Sequence, residues 1–293
     1  MTSIFLDQEG RLRNGWRTIA FFAMYLAISL LLSFPAAVLQ WLLRKGSTSY
    51  DARLGVLISC LAAILATWVC TAIERVPIQS VGLFIGRQWF KECLWGTLLG
   101  FMIMAVTALM VRALGGFFWG WDPQGGVLSS LLGIPFFLLV AVHEETVFRG
   151  YPFQRLVSSL GAWSTLALFA VIFAFIHWNN PGMSGATKVW ASLNIALAGV
   201  LLGLCYLKTQ SLALPIGVHL GWNWTQGSLL GFGVSGTEAR GLLVPVFNAK
   251  PLWLSGGKFG LEASLPCTVV CTLAILLLLL WKPKEPAPEA PPE

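Results

Sequence analysis

Apolar residues in this chain are gathered into long runs that short polar turns separate. Runs of about 20 such residues, the length that crosses a bilayer as an α-helix, fall at roughly 17–42, 54–73, 93–113, 127–157, 162–178, 189–207, 211–231 and 264–281. The fourth run is longer than a bilayer needs, so we expect it to tilt or to project beyond the membrane. The pattern predicts an all-α fold, a polytopic bundle of about eight transmembrane helices.

The two ends of the chain are more polar than the rest. Residues 1–16 carry mixed charges and show no cleavable signal, and residues 282–293 are rich in Pro and Glu. A segment of that second composition buries too little apolar surface to fold, so we expect a disordered tail. Between them, residues 17–281 are predicted to form one membrane-embedded domain without internal repeats.

Composition excludes an ordinary soluble domain, because 56% of the residues are hydrophobic and only 11% are charged. The net charge of +6 could suggest nucleic-acid binding, but the 19 Lys and Arg residues are scattered over loop ends. In a membrane protein this distribution reflects topology, and its weak bias predicts both termini inside. We therefore expect the lipid bilayer, and no nucleic acid, as a partner.

Ionisable side chains interrupt the apolar runs at a few places. Glu144 and Glu145 lie side by side in the fourth run, and His143, His177 and His219 all fall within predicted spans. Such groups cost a few kcal/mol each in hydrocarbon and are rare there unless a function retains them. A lone intramembrane His, such as His143, is also explained by a hydrogen bond between helices. The paired carboxylates mark the expected site.

The spacing of these residues sets which of them share a helix face. Glu145 and Arg149 are four residues apart and can form an ion pair, whereas Glu144 is rotated about 100° from Glu145. One carboxylate can thus be neutralised while the other stays free. His219 and Asn223 also share a face. The Glu145–Arg149 pair could equally be a structural ion pair, which on its own says little about function.

Depth in the membrane is consistent with convergence. Spans four and five are joined near residues 158–161, and Glu144 and His177 lie about equally far from that turn, roughly 25 Å along each helix at 1.5 Å per residue. Spans six and seven turn on the same side, near residues 209–211, which places His219 and Asn223 about 14–20 Å from their turn. We expect all four groups to meet inside the bundle.

At these positions the chain resembles a known family. The patterns Glu144-Glu145-x-x-x-Arg149, Phe173-x-x-x-His177 and His219-x-x-x-Asn223 are similar, in order and spacing, to three motifs of the CPBP (CAAX protease and bacteriocin-processing) family of intramembrane endopeptidases. The motif core covers about 127–231. The resemblance implies that an integral multi-pass protein hydrolyses a peptide bond in a peptide or membrane-protein substrate. We expect its location to be a bacterial cell membrane.

The resemblance also implies residue roles, with two mechanisms open. In the first, Glu144 acts as general base together with His177, while His219 and Asn223 stabilise the oxyanion and Glu145 and Arg149 support them. In the second, Glu144, His177 and His219 bind Zn²⁺. We favour the first, without a cofactor, because Val147 stands where a His-Glu-x-x-His motif would need its second His.

Other functions have weaker support in the sequence. Gly182-Met183-Ser184-Gly185 has the form of a serine intramembrane protease motif but follows a predicted loop, and that mechanism would leave Glu144 and Arg149 unused. A proton-coupled transporter would also use intramembrane carboxylates and His, but it often shows an internal repeat and broken helices; only Pro135 and Pro215 suggest breaks. A non-catalytic immunity or partner protein on the same scaffold would not need the full set of polar groups.

Overall fold

The computed structural model describes residues 4–43, 51–121 and 126–282, so nearly all of the predicted tail lies outside the described residues. Every apolar run is helical. The helices are α1 (Asn14–Leu43), α2 (Ala52–Ile73), α3 (Arg87–Ala113), α4 (Val127–Arg149), α5 (Tyr151–Leu160), α6 (Ala162–Ile176), α7 (Gly185–Thr209), α8 (Ala213–Trp224), α9 (Leu252–Ser255) and α10 (Leu265–Leu280).

The all-α class is confirmed, whereas the number of spans stays a prediction. Within the described residues, six helical segments are long and apolar enough to cross a membrane: Asn14–Leu43, Ala52–Ile73, Arg87–Ala113, Val127–Leu160, Ala162–Asn179 and Gly185–Thr209. The seventh and eighth apolar runs form shorter helices, α8 with 12 residues and α10 with 16. Helix α4 continues through Pro135, and α8 through Pro215.

The long fourth run is divided at Gly150. Helix α4 ends at Arg149 and α5 begins at Tyr151, with Pro152 in its first turn, where its missing N–H costs nothing. Gly150 approaches the preceding turn so closely that a β-carbon there would overlap the carbonyl oxygen of Thr146. The sequence predicts that the extra length of this run tilts or projects beyond the membrane. In the structure that extra length is a separate short helix, α5.

Helices α3 and α8 pack more closely than any side chain would allow. Gly96 and Gly100 on α3 face Gly217 and Gly221 on α8, and a β-carbon on any of the four would overlap the backbone of the opposite helix. Small residues four apart let helix backbones approach closely in membranes. Because α8 carries His219 and Asn223, this contact fixes the depth and rotation of both.

Two further features were not predicted. The strands β1 (Phe117–Trp121) and β2 (Leu243–Phe247) pair antiparallel, with Phe117 opposite Phe247. Helix α8 continues into a π-helical turn at Thr225–Leu229, a wide form that often occurs at functional sites. Ser130 of α4 holds this end of α8, since its hydroxyl donates to the Ser228 carbonyl (2.7 Å) and its carbonyl accepts from Trp224 Nε1 (2.8 Å).

Candidate active site

Glu145 and Arg149 form the buried ion pair that their spacing suggested. The Arg149 Nη1 to Glu145 Oε1 distance is 3.1 Å, and the two side chains are 1% and 0% exposed. Arg149 also donates from Nη2 to the Gly199 carbonyl of α7 (3.0 Å) and lies over the Phe173 ring, 4.8 Å from its centroid. The pair therefore joins α4 to α6 and α7 as well as neutralising one carboxylate.

His219 lies between the two neighbouring carboxylates and bonds one of them, a contact that the sequence did not predict. Its Nδ1 lies 2.8 Å from Glu145 Oε1, and its Nε2 lies 3.8 Å from Glu144 Oε2. The first distance is a hydrogen bond, in which Nδ1 donates because a carboxylate only accepts; the second is too long for one. Glu145 therefore orients the imidazole, while Nε2 and the Glu144 carboxylate both keep an open side.

His177 lies at the end of α6 and is held by the aromatic residue of its own motif. Its Nδ1 is 2.6 Å from the Phe173 carbonyl oxygen, and the two rings pack with centroids 4.8 Å apart. Since a carbonyl only accepts, Nδ1 carries the proton, which leaves Nε2 of the neutral ring as an acceptor. The Phe of the motif thus positions two groups, Arg149 through its ring and His177 through its carbonyl.

These side chains face one cavity of about 470 Å³. Glu144, which is 22% exposed, lines it together with His177, His219 and Asn223. The structure therefore brings together the four residues to which the sequence assigned chemistry. Asn223 is buried, and its side-chain amide has no hydrogen-bond partner among the described residues. Apolar side chains of α2, α4, α6 and α7 form most of the remaining wall.

His143 also lines this cavity, although the motif does not require it. It accepts or donates one hydrogen bond with the Tyr25 hydroxyl of α1, at 2.8 Å from Nε2, and the two rings stack. This is the interhelical bond that a lone intramembrane His often makes. Ser184, the candidate serine nucleophile, occupies the N-cap position of α7 without a side-chain capping bond and is not among the cavity-lining residues.

The proposed zinc ligands do not form a metal site as they are placed. Glu144, His177 and His219 face the same space, but across residues 4–43, 51–121 and 126–282 no three His, Cys, Asp or Glu side chains are close enough together to hold a metal ion. The His177 and His219 rings are both anchored at Nδ1. The zinc ligand set therefore stays an alternative to the glutamate mechanism.

Glu262 is a cavity residue that sequence reasoning missed. It lies before α10, is 5% exposed, and accepts hydrogen bonds from Trp222 Nε1 (3.0 Å) and from the backbone N–H of Ser235 (2.7 Å). Glu262 lies outside the predicted helical spans, so no spacing pattern linked it to the other site residues. Only the burial of a carboxylate in a mostly apolar C-terminal region could have drawn attention to it.

Comparison with known proteins bears on the same region. Residues 126–225 match the family model described as type II CAAX prenyl endopeptidase Rce1-like. This match confirms the resemblance of the motif core to the CPBP family. The Rce1-like region covers roughly a third of the chain and contains all three motifs, from α4 to the end of α8. A search of curated proteins gave no match.

The match of this region to the Rce1-like family suggests CAAX-type intramembrane protease activity, hence a hydrolase that acts on peptides. The six long apolar helices and this family together indicate a multi-pass membrane protein in contact with the bilayer. The Rce1-like region also includes α7, whose Gly199 carbonyl accepts from Arg149. The cavity wall contributed by residues 234–239 and Glu262 lies beyond the matched region.

Proposed function

We propose that this chain is an intramembrane endopeptidase in which Glu144 activates the water that hydrolyses the peptide bond. The observation that carries the proposal is the convergence of Glu144, His177, His219 and Asn223 on one cavity within an apolar helix bundle. The cavity suits a substrate segment because it is mostly apolar with a few polar groups directed inward. We expect the substrate to be a peptide segment of another membrane-associated protein.

In the proposed reaction, Glu144 takes a proton from water, and the water oxygen attacks the scissile carbonyl carbon. His177 supports this step, because its free Nε2 can accept the second water hydrogen and so orient the molecule. Breakage of the C–N bond then releases a new carboxyl terminus. The proton held by Glu144 passes to the departing amine nitrogen, which completes the hydrolysis.

The tetrahedral intermediate needs donors at the position where negative charge develops. In its imidazolium form His219 donates from Nδ1 to the Glu145 carboxylate and has a second donor at Nε2. This Nε2–H and the unpartnered Asn223 amide face the space where the oxyanion forms. Removal of one such donor in other hydrolases typically costs about 10²–10³-fold in kcat. Glu145 and Arg149 act one step away from the reaction, by fixing His219 and the end of α4.

The proposal is tested by comparing the membranes of cells that carry the wild type or Glu144→Gln. Peptides that end at new, non-annotated C-termini should appear with the wild type and disappear with the variant. Glu92→Gln, the same substitution at a carboxylate of α3 that bonds Gln88 outside the cavity, serves as the matched control and should behave as wild type. Identical sets of termini for wild type and Glu144→Gln, with both proteins present in equal amounts, would count against a protease.

A further inference from the structure

Glu262 is the centre of a buried hydrogen-bond cluster at the edge of the cavity. Its Oε1 accepts from Trp222 Nε1, and its Oε2 accepts from both the backbone N–H and the hydroxyl of Ser235, at 2.7 and 3.0 Å. Three donors thus converge on one carboxylate that also lines the cavity. Among the described residues no Lys or Arg forms an ion pair with it.

The donors come from two parts of the cavity that are far apart in the sequence. Trp222 belongs to α8 and lies between His219 and Asn223. Ser235 belongs to the wall segment, defined here as residues 234–239, in which every residue except Gly236 lines the cavity. Glu262 is therefore a direct link between the helix that carries the oxyanion donors and a wall that the substrate would contact.

The wall segment is held at Ser235 in an unusual backbone conformation. Ser235 has φ +48°, in the left-handed region that non-glycine residues rarely adopt. Its carbonyl accepts from Asn180 Nδ2 (2.9 Å), which follows His177 by three residues. A strained backbone conformation of this kind persists only where the surrounding structure holds it in place. Here Glu262 and Asn180 hold Ser235 from two sides.

The backbone of Glu262 is fixed independently of its side chain. Its carbonyl accepts from Asn194 Nδ2 of α7 (2.7 Å), and Asn194 Oδ1 accepts from the Thr268 hydroxyl of α10 (2.7 Å). The pKa of the Glu262 carboxyl is raised, because the effect of burial outweighs the hydrogen bonds from Ser235 and Trp222, which lower it. The carboxyl group thus has a rigid backbone, and these two partners favour its charged form.

A buried carboxylate without a cation contributes little to the free energy of folding, since well-packed apolar residues stabilise a core at least as well. Its geometric effect is specific, because three charge-assisted hydrogen bonds fix directions as well as distances. We propose that Glu262 is a positioning residue that fixes the wall segment relative to His219 and Asn223, and so sets where a substrate lies with respect to Glu144. This inference rests on the proposed endopeptidase function.

Steady-state kinetics on a peptide substrate test the inference. Glu262→Gln keeps the shape but replaces one acceptor oxygen with an NH2 group, so the side chain can no longer accept from Ser235 and Trp222 together. KM should rise about tenfold or more, as for other hydrogen bonds to charged groups, with a smaller change in kcat. Ser235→Ala removes only the hydroxyl and should shift KM in the same direction by less. The double variant should be no worse than Glu262→Gln alone, because both changes act on one contact. Glu92→Gln is again the matched control.

Hydrogen exchange supplies a second measurement that does not need turnover. In Glu262→Gln, backbone amides of residues 234–239 should exchange faster while α2 and α3 keep their wild-type rates. If Glu262→Gln proves too unstable to purify, Trp222→Phe takes its place. This change removes the indole N–H that bonds Glu262, together with part of the ring, and should also increase exchange in the wall segment.

Each outcome has a definite reading. Folded Glu262→Gln with wild-type KM, kcat and exchange overturns the inference. Inactivity of the wild type on every peptide contradicts the proposed function instead, and the exchange measurement then still decides whether Glu262 fixes the wall segment.

Discussion

At the scale of single residues, Arg149 pairs with Glu145, and in the proposed mechanism this pair supports the site. Arg149→Ala leaves the Glu145 carboxylate buried and unpaired, and breaking such a pair typically costs about 3–5 kcal/mol. We expect a lower thermal midpoint in detergent together with reduced cleavage, because Glu145 also orients His219. Arg53→Ala, at an exposed position of α2, is the control and should leave both unchanged. An Arg149→Ala protein that melts and cleaves as wild type does would show that the supporting role is wrong.

Sequence spacing was informative for residues that share a helix and less so for contacts between helices. The i,i+4 rule was enough to pair Glu145 with Arg149 and to put His219 and Asn223 on one face. It could not indicate that His219 bonds Glu145, since that contact depends on how α4 and α8 are rotated against each other. Glu262 and Ser235 were missed for the same reason: their contact joins two irregular segments, where no periodicity exists.

At the scale of helices, the contact of α3 with α8 determines the geometry of His219 and Asn223, the proposed oxyanion donors. In Gly221→Ala the new methyl group would overlap the Thr97 carbonyl oxygen of α3, so the helices must separate. Overpacking of this kind typically costs about 1–3 kcal/mol. Because Gly221 lies between His219 and Asn223, we expect cleavage to fall by more than the loss of folded protein explains.

The matched control for this change is Gly15→Ala in α1, where nothing lies within 4 Å of an added β-carbon. Its melting temperature and activity should equal those of the wild type. Normal activity in Gly221→Ala, measured per folded molecule, would mean that α8 is positioned by contacts other than this one. The close approach itself was not predicted, because glycines four apart are common in membrane helices and do not identify their partners.

At the scale of the whole molecule, contacts sort the loops onto two faces. Glu74 pairs with Arg17 (3.1 Å) and Arg155 (2.7 Å), and Lys208 donates to the Trp281 carbonyl (2.7 Å). The segment 81–82 joins these two groups, since its carbonyls accept from Gln154 of α5 and from the backbone N–H of Leu212, so both ends of the described chain lie at one face. The β1–β2 pair lies at the end of α3, and so belongs to the other face. This arrangement agrees with an even number of crossings, as the apolar runs predicted.

Cysteine labelling in intact membranes tests that topology. In a background without the six native cysteines, new cysteines at Gln8 and Lys282 should react from one face, and cysteines at the exposed positions Glu238 and Lys258 from the other. Labelling of Gln8 and Lys282 from opposite faces would rule out eight spans, since an even number cannot separate the ends. Labelling at Glu238 would also show from which face the cavity is reached, because that residue lies at its wall.

The central claim is that Glu144 is the general base of a peptide hydrolysis, and purified protein in detergent tests it most directly. The wild type should cleave a peptide after prolonged chelation, whereas Glu144→Gln should fold, melt close to the wild-type temperature and cleave nothing. Wild-type rates in folded Glu144→Gln would contradict the account. A different result would favour the zinc mechanism: chelation abolishes activity, Zn²⁺ restores it, and stoichiometric zinc is lost in both His177→Ala and His219→Ala. The protease assignment would then stand, with a metal site in place of the general base.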